Sequence, residues 1–166
     1  MEVKSNFIRM SKQSQIPKSV QVYLESANSA LIDADSLPGA LQHNASRYLL
    51  LLTGWELVQI AEEKFSAWAQ QANVNPNLLK DHGYKLRKSP PLNYIKIIDG
   101  KPVETKYASE DEKKKLRKLL LYGQEGISRS EHFMRGWHFD TFRNRLIGKI
   151  NLLKVLIKAM QELDIK

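Results

Sequence analysis

The chain has 166 residues, no cysteine and a net charge of +8. That length fits one domain, 1–16 aside, and 42% hydrophobic residues are enough to build its core. Disulfides and thiolate metal sites are excluded; the N-terminus lacks the apolar run of a signal peptide, and the longest run, Tyr48 to Leu52, is far short of a membrane span, so a cytoplasmic location without a membrane partner is expected.

The charge is unevenly spread. Residues 19–79 hold two basic and six acidic residues, while 80–118 hold twelve basic and six acidic. Residues 129–158 hold seven basic and two acidic. An acidic half beside a basic half favours internal pairing or an anionic partner such as RNA. A solvated lysine-rich surface is the simpler alternative.

Residues 1–16 read as a flexible basic arm and 17–166 as a single helical-bundle domain. Pro17 suits a first helical turn. From it to Asp35, Val20, Tyr23 or Leu24, Ala27, Ala30 or Leu31 and Ala34 recur at helical spacing. Ser36 to Pro38 breaks this helix, and Pro38 starts the next, expected to reach about Ala72. This second helix has two apolar stripes. One is Leu41, Ala45, Tyr48, Leu52, Trp55 and Ile60; the other is Leu50, Leu57 or Val58, Ala61, Phe65 and Trp68. Two stripes place it centrally, packed on both sides. Gly54 in its middle costs up to ~1 kcal/mol against Ala, so it implies a close helix approach or a kink.

Asn75-Pro76 is a cap followed by a proline at the first helical position, opening a third helix expected to reach Lys88. Leu78, Leu79, His82 and Leu86 share its inner face. Ser89-Pro90-Pro91 ends it. The run from Leu92 to Tyr107, with Asp99-Gly100 at its centre, predicts a small β-hairpin or extended insertion around 92–107. Pro102 confines its second strand to an edge. Ser109 and Glu112 form a capping box for a lysine-rich helix ended by Gly123 and Gly126. Ser128 and Glu131 cap a short turn or helix through Gly136. Asp140 or Thr141 then caps a last helix to about Leu163, with Phe142, Leu146, Ile150, Leu153, Ile157 and Met160 on its core face. The expected fold is an all-α bundle of four to five helices carrying that hairpin insertion.

Glu56 and Glu63 share one face of the second helix with Leu49, Leu52 and Ile60. Carboxylates on a core-directed face need partners. Lysines or arginines of neighbouring helices are the structural answer. A polar cluster of Glu56, Glu63, His82 and Lys85 between the second and third helices is the functional one. No Glu-x-x-His pair occurs, so no metal is expected, and no cofactor either.

Four segments together resemble the AbiV branch of the HEPN superfamily. LESANSALIDADSL resembles its opening helix. AEEK, Ala61 to Lys64, is similar to the ending of its second helix. His82 with Lys85-Leu86 resembles its H-x-x-K-L, and KLRKLLLYG, Lys115 to Gly123, its basic helix. The resemblance implies a HEPN-type bundle, often dimeric, acting in abortive infection against phage. Many HEPN proteins are metal-independent ribonucleases marked by Arg, four to six residues, then His. That hallmark is missing here. The nearest approximation is Arg143-Asn144, with Lys149 where the His would fall. Lysine, with a pKa near ~10.4, is a poor general base at neutral pH.

The expectation is therefore a phage-defence interaction protein, a homodimer binding RNA or a phage or host protein. The alternatives are a divergent ribonuclease using Arg143, Asn144 and His138, or a dimeric scaffold. Arg129, Arg135, Trp137, His138, Arg143 and Arg145 are the candidate RNA contacts: arginines pair phosphates and an interleaved aromatic stacks a base. The alternative for this segment is a loop that anchors Phe133, Trp137 and Phe139 in the core or in a dimer interface.

Overall fold

The computed structural model describes residues 15–39, 43–85, 93–98, 101–106, 110–123 and 136–164. They form five helices and one hairpin: α1 (Lys18–Ser36), α2 (Asn44–Gln71), α3 (Pro76–Asp81), β1 (Asn93–Ile98), β2 (Lys101–Lys106), α4 (Glu110–Tyr122) and α5 (Gly136–Asp164). The result is a helical bundle with a two-stranded insertion. The two strands pair antiparallel from Asn93 opposite Lys106 to Ile98 opposite Lys101. Asp99 and Gly100, the expected turn, lie outside the described residues.

α2 is the central helix, touching α1, α4, α5 and β1. Its two-stripe pattern requires this, because a helix with two apolar faces must be covered on both. α1 lies against it through the buried residues Val20, Leu24, Ala27, Ala30, Leu31 and Ala34, the stripe expected from spacing. α5 packs on α2 and α1 with Phe142, Leu146, Ile150, Leu153, Ile157 and Met160, all buried, joined by Phe139 and Leu156. Each large side chain buried this way stabilises the fold by about 1.5–3 kcal/mol. Between α2 and α5 the contact is aromatic. Tyr48 meets Phe139 edge-on at 6.0 Å, and Trp55 meets Phe142 at 6.0 Å. Such pairs prefer tilted geometries and add to the energy of burial. Phe139 is thus a core anchor, while Phe133 lies outside the described residues.

Gly54 lies where three helices meet. A Cβ there would sit 2.9 Å from Cδ2 of Leu146 and 3.3 Å from the carbonyl oxygen of Ala27. Close approach, rather than a kink, is the use made of this glycine: α2 runs unbroken through it.

Three boundaries differ from the expectation. α2 begins at Asn44, with Pro38 and Gly39 outside the helix. Gly39 directly after Pro38 is a poor first turn, since glycine pays the largest backbone entropy. α5 begins at Gly136, one turn before Asp140, so Asp140 is inside the helix and not its cap. The largest difference is α3, which stops at Asp81 instead of Lys88. Gly83 takes φ 78, its N–H donates to Lys80 O, and the N–H of Tyr84 donates to Leu79 O. Those two bonds are a Schellman ending, with glycine at the left-handed position. α2 ends the same way on Asn73, φ 53, with Asn73 N–H to Gln70 O and Val74 N–H to Ala69 O. The cap of α3 is as expected: Asn75 Oδ1 accepts from the Asn77 N–H at 3.0 Å. The caps proposed at Ser109 and Ser128 lie outside the described residues.

Candidate functional site

The uneven charge of the sequence is spent first on internal pairing. Among the described residues, three ion pairs join the acidic α1–α2 hairpin to the basic helices. Arg143 of α5 grips Asp35 of α1 with both prongs, Nε to Oδ1 at 2.6 Å and a terminal nitrogen to Oδ2 at 2.7 Å. Lys149 of α5 reaches Glu62 of α2 at 3.8 Å. Arg117 of α4 pairs with Glu56 of α2. Each crosses from one helix to another, so each sets register as well as charge balance.

A polar group lies where the end of α1 and the starts of α2 and α5 meet. The guanidinium hydrogen bond from Arg143 holds the Asp35 carboxyl below the usual carboxylate range, against partial burial, with Arg47 adding to the field. The same bond raises Arg143. Arg47 lies over the Phe139 ring, 3.5 Å from its centroid, a cation–π contact. Its Nε is buried without a hydrogen-bond partner. Tyr48 beside it is pushed well above the ordinary tyrosine range, chiefly by burial, so its hydroxyl is not a base at neutral pH.

Of the proposed catalytic residues, Arg143 is committed to Asp35, and Asn144 is exposed one residue on. The His138 side chain lies outside the described ones. Lys149, where a ribonuclease histidine would fall, is turned inward; its ammonium is 4.3 Å from the Trp55 ring centroid and paired with Glu62. This is a structural lysine, fixed by an indole face and a carboxylate.

The polar cluster is not buried between the second and third helices. Glu63, His82 and Lys85 are all exposed, and Glu56, partly buried, is held by Arg117. The physical cause is the early end of α3. With Gly83 turning the chain, His82 falls at the C-cap and faces solvent, and only Leu79 of the expected inner face is buried; Leu78 is exposed and Leu86 lies outside the described residues. Tyr84 takes the inner place and hydrogen-bonds the buried Ser66 hydroxyl of α2. Among the described residues it is the neighbour Glu62, one residue round the helix, that pairs with a basic residue of α5, Lys149.

Among the candidate RNA contacts, Arg145 is exposed. Arg129 and Arg135, and the Trp137 side chain, lie outside what is described. Outside that segment, Lys114, Lys115 and Lys118 of the lysine-rich helix stand exposed on α4, and Lys154 and Lys158 on α5. The lysine run of α4 was visible; which of its members face water required the packing of Leu120 to be known.

Among the described residues no group of three or more His, Asp or Glu is placed to hold a metal, and no helix is long and apolar enough to cross a membrane. No family model, curated protein or solved structure matches the chain.

Proposed function

We propose that the chain is a phage-defence interaction protein of HEPN type that acts by binding, with RNA favoured over a protein as the partner. The observation that carries this reading is the surplus of exposed cations. Beside the inter-helix pairs seen among the described residues, Lys114, Lys115 and Lys118 on α4 and Arg145, Lys154 and Lys158 on α5 face solvent. Exposed cations of this kind attract a polyanion, whose binding releases counterions. The HEPN element of the reading rests on the four sequence segments and on the helical bundle. Binding is favoured over cleavage because Arg143 and Lys149, the nearest approach to a ribonuclease pair, are both engaged within the bundle.

The test is a gel of end-labelled single-stranded and structured RNA with the purified protein in EDTA. Retarded, intact RNA is the expected outcome. Discrete cleavage that disappears in Arg143→Ala would replace this reading with that of a divergent nuclease.

A further inference from the structure

α1 and α5 run antiparallel. Asp35 meets Arg143 at one end of their seam, and Gln21 and Gln161 face each other toward the other. Between these points the seam opens into a groove of about 360 Å³. Its α1 wall carries Gln21, Glu25 and Asn28, at positions i, i+4 and i+7, which helical geometry puts on one face. Its α5 wall carries Lys154, Lys158 and Gln161 in the same spacing. The floor is Leu24 and Ile157.

We infer that this groove binds a nucleotide unit, the phosphate on the α5 wall and the base toward α1. Three observations converge. First, Lys154 and Lys158 are one turn apart and both exposed, with Glu25 the one carboxylate lining the groove. Like charges at this spacing repel, and an anion between them removes the repulsion. Second, the groove supplies three carboxamides. Each offers a donor and an acceptor, the complement of a base edge, which also presents both. A fatty acid or a bare phosphate could accept from their N–H groups but would leave their carbonyl acceptors without a donor. Third, the aliphatic floor suits the face of a flat ring, and the volume lies within the range of small-molecule sites. Glu25, on the wall away from the lysines, is placed to accept from an exocyclic amine and to keep the phosphate on α5.

The nucleotide can be free or one residue of a strand; the strand form rests on the RNA-binding reading and the free form does not. Two-dimensional amide NMR of the full chain, titrated first with AMP and then with a single-stranded RNA dodecamer, separates them. The expected result is movement of the Gln21, Asn28 and Gln161 side-chain amides, with affinity falling about tenfold in the Lys154→Ala/Lys158→Ala double variant, the order expected for losing two charge-assisted contacts. Both lysines are exposed, so the variant leaves the core intact, and a thermal melt checks this. Movement with AMP assigns a free-nucleotide site; movement with the dodecamer alone assigns a strand subsite. RNA binding with shifts confined to α4 overturns the groove while leaving the RNA reading intact. AMP binding in the groove without RNA binding does the reverse. Groove amides that respond to neither ligand, or an affinity unchanged in the double variant, overturn the inference.

Discussion

Gly54 shows how one residue can be set by its neighbours rather than by its own element. Alanine there gains up to ~1 kcal/mol of helix propensity. It must also push aside Leu146, which is fully buried, and a backbone carbonyl of α1. Overpacking of this kind costs about 1–3 kcal/mol, so Gly54→Ala is expected to lower the melting temperature by several degrees. An unchanged or raised melting temperature would show that the crossing has slack. Asp35 and Arg143 are each about one-third exposed, so water and salt screen their pair to roughly 0.5–1 kcal/mol in a double-mutant cycle. The pH sign follows from Asp35 being held low. Its contribution is present above the unfolded aspartate pKa, about 3.9, and is lost as pH falls through the lower folded value. The stability advantage of the wild type over Asp35→Asn should therefore shrink only below about pH 4, which acid titration of both proteins by circular dichroism would reveal. The Ser66–Tyr84 bond is buried, so Tyr84→Phe should cost about 1–3 kcal/mol by leaving the serine short of a partner. The aromatic tyrosine position was not legible in the sequence. Gly83 falls within the span expected for the third helix, and its positive φ makes it an ending.

At the scale of elements, periodicity carried the long helices. The stripes of α1 and α5 are apolar at every expected position, because each helix buries one face and nothing else competes. Boundaries were less legible, since they depend on one or two backbone conformations. The α2 glutamates show the same limit at finer grain: Glu62 and Glu63 are adjacent, and a shift of one residue, about 100° round the helix, separates the paired carboxylate from the solvated one. α4 is the most lightly attached long helix among those described, held on α2 through buried Leu120 and the Arg117–Glu56 pair. Leu120→Ala should cost about 2–5 kcal/mol of local stability. Hydrogen exchange is expected to quicken in α4 well before α1 and α2 respond; uniform quickening would mean that α4 unfolds only with the whole bundle.

Across the whole molecule, the division of charge is what links sequence, fold and proposed function. The acidic hairpin of α1 and α2 attracts the basic helices, and the pairs seen among the described residues consume part of the basic surplus. Composition showed the division but not its partition, because pairing depends on which side chains the bundle turns inward. Arg143 and Lys149 were the candidates nearest a ribonuclease pattern, and both belong to the paired set. The exposed remainder on α4 and α5 is what the proposed partner would meet. The most direct measurement is fluorescence anisotropy of a labelled single-stranded RNA with the wild type and the Lys114→Ala/Lys115→Ala/Lys118→Ala variant across a salt series. The account predicts binding that weakens steadily with salt, and a log–log slope smaller by about 2 in the variant. No binding at low salt, or a slope unchanged by removal of the three lysines, would contradict it.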